Sequence, residues 1–174
     1  AAGDVNGDGW SDIVVGSSRS SPNGGRLYVF FGGPGADGEP NAVLDSGVTD
    51  IDLFGWTLAC GDVNGDGFAD ILTGAAGRTT SHGFGSGLAL LWLGGPSLHA
   101  APDLTLEGAA ANDQLGLAVA IPGDLDGDGF ADLVVSAPYA DGTAGIDAGK
   151  VDIVFGGAGL DFVPDLVLDG EATG

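Results

Sequence analysis

Short apolar runs, separated by polar and glycine-rich stretches, recur along the whole chain. They fall into four sets, at 54–60 and 115–121; at 12–16, 70–74 and 132–136; at 26–31, 88–93 and 150–155; and at 42–45, 104–107 and 166–169. Runs of this length bounded by turn residues are typical of β-strands, and no long stretch has the 3.6-residue period of a helix. The pattern therefore predicts an all-β chain.

The runs belong to a unit that repeats along the chain with a near-constant spacing. An acidic stretch begins at Asp4 and recurs at Asp62 and at Asp124, with the first interval slightly shorter than the second. The Gly-Gly pairs that follow the third strand, at 32–33, 94–95 and 156–157, are evenly spaced, so the difference in length falls before the third strand. Regular recurrence of this kind indicates one supersecondary unit used several times. We predict a single domain of three repeats, at about 1–53, 54–114 and 115–174.

Several strands are apolar on both faces, as in the run Leu-Ala-Leu-Leu-Trp-Leu at 88–93. Such strands are covered on both sides, and without helices the sheets must cover one another. Four-stranded antiparallel sheets packed face to face around an axis form a β-propeller. The Gly- and Ala-rich first strand suits the crowded innermost position. We therefore predict propeller blades of four antiparallel strands, with a β-sandwich or a solenoid as the alternative.

The balance of charge narrows the choice of partners. The 174 residues include 25 acidic side chains and only four Lys or Arg, giving a formal net charge of −21. Nucleic acid and anionic membranes are poor partners for such a chain, and no apolar run approaches the length that spans a bilayer. Cys60 is the only cysteine, so an intrachain disulfide is excluded and a buried, inert thiol is expected.

The acidic stretch carries the chemistry of the repeat. In its third copy, Asp-Leu-Asp-Gly-Asp-Gly-Phe-Ala-Asp at 124–132, side-chain oxygens fall at the first, third, fifth and ninth positions. The glycine at the sixth position permits a sharp bend, because it takes positive φ at little steric cost. Alternate side chains of a curled loop can then converge on one point. Calcium prefers an all-oxygen shell of this kind.

We therefore predict three calcium ions, one in each loop. Four side chains and the backbone carbonyl of the seventh residue would bind each ion, which leaves the seventh residue's aromatic ring for the core. The predicted metal ligands are Asp4, Asn6, Asp8, Trp10, Asp12, Asp62, Asn64, Asp66, Phe68, Asp70, Asp124, Asp126, Asp128, Phe130 and Asp132.

Two other interpretations of the loops compete with calcium binding. The EF-hand needs a bidentate Glu at the twelfth position, which here is Val15, Thr73 or Val135. Plain Asp-Gly and Asn-Gly turns are the second interpretation. Turns alone do not account for three or four carboxylates in each loop, since uncompensated negative charges a few ångströms apart repel one another.

These units resemble FG-GAP repeats, the family that builds the β-propeller of integrin α subunits. The matching residues are Phe54-Gly55, the stretch 61–70, Gly74-Ala75-Ala76, Leu115-Gly116 and Ser136-Ala137-Pro138. The resemblance covers essentially the whole chain and implies that the acidic loop joins strands one and two on one face of a disc. Such propellers close with about seven blades, whereas this chain would hold two complete blades and a third without its inner strand. A longer protein or a homo-oligomer would then complete the propeller.

The resemblance also implies a function. The chain would be a calcium-binding, integrin-like module for extracellular protein interaction or cell adhesion, secreted or on a cell surface, and not an enzyme. Calcium would be structural, and a protein or matrix ligand would bind the face opposite the ions. The loops expected on that face are 17–25, 48–53, 77–86, 109–114 and 138–148, with Arg19, Arg78, His82 and Tyr139 as contact residues.

Two alternatives for the function stay open at this point. The first is a carbohydrate-binding, lectin-like propeller, with candidate contacts at Asp50, Asp52, Asn112, Asp113 and Tyr139. The second is a non-catalytic domain of a larger secreted enzyme, because FG-GAP repeats also accompany hydrolases. His82 and His99 have no fixed serine or cysteine partner in the sequence, so no catalytic residue is predicted within this chain.

Overall fold

The computed structural model describes residues 1–18, 25–47 and 52–171, which form twelve β-strands. In chain order the strands are β1 (Ala2–Gly3), β2 (Asp12–Ser17), β3 (Arg26–Phe30), β4 (Ala42–Asp45), β5 (Leu58–Gly61), β6 (Asp70–Gly74), β7 (Leu88–Trp92), β8 (Leu104–Glu107), β9 (Val119–Gly123), β10 (Asp132–Ala137), β11 (Lys150–Val154) and β12 (Leu166–Asp169). In these ranges there is no long apolar helix of the kind that crosses a lipid bilayer.

The strands form three antiparallel sheets of four, ordered β1-β2-β3-β4, β5-β6-β7-β8 and β9-β10-β11-β12. Each sheet pairs its strands in chain order, as in a propeller blade. The second, third and fourth strands of every sheet lie within one residue of the predicted runs. The predicted all-β fold, with three blade-like units of four antiparallel strands, is therefore confirmed.

The inner strands differ from the prediction. β5 and β9 each begin four residues after the predicted starts at 54 and 115. The reason is a turn, in which the Trp56 N–H donates to the Leu53 carbonyl (3.0 Å) and Gly55 adopts φ 79°. The first sheet does have an inner strand, although the sequence predicts that one unit lacks it. This strand is only two residues long, and Gly3 pairs with Asp12 of β2.

The core consists of two apolar clusters, one between each pair of neighbouring sheets. The first joins Val14 and Leu27 of the first sheet to Ile71 and Trp92 of the second, and the Trp92 ring meets Phe54 edge to face with centroids 5.8 Å apart. The second cluster contains residues from the middle and third sheets. Every residue of β6 and β7 is buried. The middle sheet is therefore covered on both faces, as its apolar sequence predicts.

The outer faces of the first and third sheets are apolar and exposed. Ile13 is 56% exposed, whereas Ile71, its equivalent in the middle sheet, is fully buried. Leu168 of β12 is 49% exposed, whereas its equivalent Leu106 packs against the second cluster. No described residue packs on these two outer faces. We still predict that a longer protein or a second copy of the chain covers these two outer faces.

Glycine is required where consecutive sheets approach most closely. A Cβ added at Gly74, the last residue of β6, would collide with the carbonyl oxygen of Gly116 in the next unit. Gly16 and Gly55 make the equivalent approach between the first and second units. Both turn glycines have positive φ, 79° for Gly55 and 86° for Gly116. The Phe-Gly and Leu-Gly pairs of the repeat therefore serve the packing of neighbouring sheets.

We expect Gly74→Ala to destabilise the fold, because the added methyl group meets backbone atoms that cannot move without separating two sheets. Overpacking of this kind costs about 1–3 kcal/mol. Gly35→Ala is the matched control, since nothing lies within 4 Å of a Cβ there. Urea unfolding followed by tryptophan fluorescence measures both variants. Equal free energies of unfolding for the two variants would contradict the assignment of the close approach.

Candidate metal centres

Each acidic stretch forms the loop between the first and second strands of its sheet. The loops follow β1, β5 and β9 and lead directly into β2, β6 and β10. The fourth and sixth residues of every loop are glycines with positive φ: 75° and 87° for Gly7 and Gly9, 76° and 90° for Gly65 and Gly67, and 88° and 98° for Gly127 and Gly129. The sequence predicted the bend at the sixth residue only, but the fourth residue shares it.

The aspartate at the first position orders the loop through both of its carboxylate oxygens. Oδ1 of Asp4 accepts the N–H groups of Gly7 (2.8 Å) and Asp8 (3.1 Å), and Oδ2 accepts that of Gly9 (2.8 Å). The other two loops repeat these three bonds. In the third loop, the N–H groups of Gly127 and Gly129 hold the pKa of Asp124 below its usual value, and the Gly127 N–H has the larger effect. Hydrogen bonds to the charged form have this effect.

The aspartate at the ninth position is buried and joins the loop to a neighbouring hairpin. Oδ2 of Asp70 accepts the Val63 N–H (2.8 Å), and Oδ1 accepts the Gly94 N–H (2.8 Å). Because Gly94 begins the Gly-Gly turn after β7, one side chain ties together the loop, β6 and that turn. Asp12 and Asp132 make the equivalent bonds. Burial raises the pKa of Asp70 to about 6.

The third and fifth side chains bring further oxygens to the centre of the loop. Oδ1 of Asn6 accepts the N–H of Asp8 (3.0 Å), and Nδ2 of Asn6 donates to the Asp8 carboxylate (3.1 Å). In the third loop an aspartate replaces this amide, and one oxygen each of Asp124, Asp126 and Asp128 lies within 4.8 Å of the other two. Desolvation raises the pKa of Asp126, and the charges of Asp128 and the other loop carboxylates add to the increase.

The donor set fits a hard divalent cation such as calcium. All the side chains at the first, third, fifth and ninth positions are carboxylates or amides, and none is a thiol or an imidazole. Oxygen donors of this kind suit calcium, while Cys and His suit zinc and copper. A cation among three carboxylates would also replace their mutual repulsion by attraction. The carbonyl groups of Trp10, Phe68 and Phe130 stay predicted ligands.

The aromatic rings of the seventh residues do not enter the sheet cores, contrary to the prediction. Trp10 is 54% exposed and lies against Gly33 of its own unit. The Phe68 ring packs against Gly7 of the preceding loop, and Phe130 packs against the equivalent glycine of the second loop. The physical reason is position, because the seventh residue precedes the second strand and lies beyond the edge of the two core clusters.

Arg78, His82 and Tyr139, three of the four residues predicted to contact a ligand, lie at the other end of the strands. β6 runs from the acidic loop to the connection that precedes β7, so the acidic loop and this connection lie at opposite ends of the sheet. Arg78 Nη1 forms an ion pair with Oδ2 of Asp52 (3.0 Å). Nδ1 of His82 lies 3.3 Å from a glutamate Oε2, and Tyr139 is 48% exposed. Arg19 lies outside the described residues.

The candidate sugar contacts are placed in different environments. Asp52 and Asp113 are buried, and Oδ2 of Asp113 accepts the Ala110 N–H (2.8 Å). Both carboxylates are therefore engaged within the protein. Asn112 is exposed, and Asp50 lies outside the described residues.

A cavity of about 670 Å³ lies at this end of the sheets, where the middle unit meets both inter-unit connections. Its lining includes Arg78, Phe84, Leu53, Asn112 and Gln114. Phe84 is 74% exposed at this cavity. Leu53, Asn112 and Gln114 have positive φ although they are not glycines, at 62°, 68° and 54°. Strained backbone of this kind clusters at ligand sites. The sequence did not single out three of these residues, because no local pattern predicts the positive φ of Leu53 and Gln114 or the exposure of Phe84.

The side chains suited to catalysis are engaged in other ways. Burial raises the pKa of the Cys60 thiol to about 11, so this group is protonated in neutral solution. Nδ1 of His99 lies 2.9 Å from Oδ1 of Asp103 on the surface. Asp103 also accepts the Leu93 N–H (2.9 Å), which closes the hairpin between β7 and β8. The contacts of His99 and Asp103 thus belong to the hairpin between β7 and β8.

Comparison with known protein families identifies the repeat. The model of the FG-GAP repeat matches residues 1–30, 54–90 and 116–154. Each match includes one acidic loop with the second strand that follows it and all or part of the third strand.

Characterised proteins also contain similar sequences. The chain is 33% identical over 156 residues to phosphatidylinositol-glycan-specific phospholipase D of Rattus norvegicus, a match that covers 82% of this chain and 18% of that protein. It is 30% identical to integrin alpha-V of Gallus gallus, covering 98% of this chain and 16% of the integrin. Integrin alpha-IIb of Homo sapiens is 40% identical over 124 residues, which are 67% of this chain and 12% of that protein. The chain thus spans less than a fifth of the length of these relatives.

The two buried hydrogen bonds of Asp70 predict a role that does not depend on a metal. We expect Asp70→Ala to destabilise the protein in the presence of a chelator, because the Val63 and Gly94 N–H groups lose their acceptor. Each buried group left without a partner costs about 1–3 kcal/mol. Asp66→Ala is the control, because the Asp66 side chain is exposed and its loss should cost less than about 1 kcal/mol.

Urea unfolding of both variants in the chelator measures the difference. If Asp70→Ala were no less stable than Asp66→Ala, the ninth aspartate would have no structural role beyond metal binding.

Proposed function

Because this chain belongs to the FG-GAP repeat family, we propose that it is a calcium-stabilised propeller module for extracellular protein interaction. The observation that carries this proposal is the convergence of the Asp124, Asp126 and Asp128 carboxylates within 4.8 Å. The same hydrogen-bonded loop occurs at the corresponding end of all three sheets. The exposed carboxylate cluster of the third loop is costly without a counter-charge.

In this proposal each loop holds one ion through the side chains of its first, third, fifth and ninth residues and the carbonyl of its seventh. A bound calcium ion supplies positive charge that neutralises the facing carboxylates. The first aspartate keeps the loop closed through its three N–H bonds, and the ninth connects the loop to the Gly-Gly turn. Binding at these loops would therefore contribute to the stability of the fold.

We place the interaction surface at the opposite end of the sheets, away from the ion sites. The support is the cavity of about 670 Å³, with exposed Phe84 and the strained residues Leu53, Asn112 and Gln114 in its lining. Exposed aromatic side chains beside polar groups are common anchors in protein interfaces. A protein or matrix ligand, at a cell surface or in an extracellular setting, is the partner that we propose, and the role of this chain is non-catalytic.

Carbohydrate recognition is the second candidate, and the same cavity favours it. Phe84 offers a flat apolar face, and no hydrogen bond within the described residues engages the side-chain amides of Asn112 and Gln114. An aromatic ring with a few convergent polar groups suits a small polar ligand. Protein binding and sugar binding differ in a direct test, because only the latter gives specificity on isolated glycans.

The calcium proposal predicts a binding stoichiometry of three. Calorimetric titration with calcium chloride should give three ions for the intact chain and about two for Asp66→Ala. Asp37→Ala, an exposed aspartate outside the loops, should keep three. Each site should add about 2.7 kcal/mol at a calcium concentration 100 times its Kd, which for a domain of this size is roughly 5–10 °C in Tm. Equal melting curves with and without chelator would contradict the proposal.

The cavity proposal predicts that Phe84 contributes to partner binding. The labelled chain with calcium is applied to a panel of immobilised matrix proteins and to a glycan array. We expect binding to a matrix protein that Phe84→Ala weakens at least about fivefold, as for a truncated aromatic anchor. Ile146→Ala is the matched control, since Ile146 occupies the same repeat position in the third unit and is 85% exposed.

Binding confined to the glycan array would instead support the second candidate. If both Phe84→Ala and Ile146→Ala bind as tightly as the parent chain, the interaction surface lies elsewhere.

A further inference from the structure

Neighbouring acidic loops are in direct contact through the aromatic residue at the seventh position. The Phe68 ring lies so close to Gly7 of the preceding loop that a Cβ there would collide with it. The Phe130 ring makes the same contact with Gly65. Gly7 and Gly65 are thus required both for their positive φ and for the close approach of the next loop's ring.

Backbone hydrogen bonds reinforce these contacts. The Ala69 N–H donates to the Asp4 carbonyl (2.8 Å), and the Gly95 N–H donates to the Val5 carbonyl (2.8 Å). Between the second and third units, the Gly157 N–H, in the turn after β11, donates to the Val63 carbonyl of the second loop (2.7 Å). Asp4 is itself the first residue of its loop, so its main chain is tied to the next loop while its side chain faces its own.

We propose that Phe68 and Phe130 are positioning residues that couple the ion sites of adjacent loops, so that the three sites bind calcium cooperatively. This inference rests on the proposed function, in which each loop holds one ion. The rings contact Gly7 and Gly65 themselves, and neither glycine is a predicted metal ligand.

The mechanism follows from the bonds that these glycines make. The Gly7 N–H donates to Oδ1 of Asp4, and the Gly65 N–H donates to Oδ1 of Asp62. A ring that fixes the glycine therefore also fixes the N–H that orients the first carboxylate. Ordering the second loop places Phe68, and Phe68 in turn orders the first loop before it binds. Prior ordering lowers the conformational cost of the second binding event, which gives positive cooperativity.

The coupling must act in both directions, because linkage between binding sites is reciprocal. It should be stronger between the first two loops than between the second and third. Two backbone hydrogen bonds, one of them from the second loop itself, and one ring contact join the first loop to the second unit. One backbone hydrogen bond, from the turn after β11, and one ring contact join the second loop to the third unit.

Trp10 provides a matched control, because it occupies the same motif position in the first loop. Its ring lies against Gly33 of its own unit and is 54% exposed. In the described part of the chain no acidic loop precedes it. Its removal should therefore leave the other two sites unchanged, whereas removal of Phe68 should weaken the loop that Phe68 covers.

The test is a calcium chloride titration followed by amide NMR of the intact chain. The N–H groups of Gly9, Gly67 and Gly129 report on the three loops separately, since each donates to the first aspartate of its own loop. We expect Phe68→Ala to raise the calcium midpoint at Gly9 by about fivefold or more, the usual lower range of coupling between sites. The midpoint at Gly129 should change less, and Trp10→Ala should leave the midpoints at Gly67 and Gly129 as in the parent chain.

A second variant separates coupling from a general loss of structure. Asp66→Ala removes a predicted ligand of the second loop and keeps Phe68, so it should also raise the midpoint at Gly9. If Phe68→Ala does not fold, Phe68→Leu keeps the apolar volume without the flat ring and takes its place. An unchanged Gly9 midpoint in both the Phe68 and the Asp66 variants would overturn the coupling while leaving three independent calcium sites. Absence of any calcium-dependent shift in the parent chain would overturn the calcium proposal and the coupling together.

Discussion

Several carboxylates share one tight loop in each sheet. The rest of the structure depends on the hydrogen bonds and charges that balance the repulsion between them. The first aspartate accepts three backbone N–H groups and the ninth joins the loop to the turn after the third strand, as Asp62 and Asp70 show. These bonds orient oxygens, and they also bring like charges together at the centre. In the proposed function, a bound cation would relieve the repulsion between these charges.

The same loops contribute to the packing between sheets. Each sheet is only four strands wide, and the middle sheet is stable because both of its faces are buried against neighbours. At one end of the strands, Gly74 and Gly116 allow the closest approach of consecutive sheets. At the other end, the Phe68 and Phe130 rings each contact the loop before their own. The proposed metal binding and the packing of the sheets therefore depend on the same loops, so the stability of the fold and the state of the loops are linked.

Most of the fold was predictable because the repeat supplies three versions of the same signal. Apolar runs placed nine strands to within a residue, and the acidic motif placed the loops at their strand junctions. The starts of β5 and β9 were not predictable from apolar content, because Phe54 and Leu115 continue the apolar pattern into a turn. The sequence does not predict that the ninth aspartate joins the loop to the Gly-Gly turn, for a different reason. Its partner Gly94 is 24 residues away, and only the folded hairpin brings the two together. The cavity beside Phe84 joins three separate segments and has no local signature at all.

The most direct test of the central claim is anomalous X-ray diffraction from crystals grown in calcium chloride. We expect three anomalous peaks in each chain, one per loop, each surrounded by side-chain oxygens of the first, third, fifth and ninth residues. A well-ordered crystal with saturating calcium and no peak at these loops, or with peaks only at other sites, would contradict the claim.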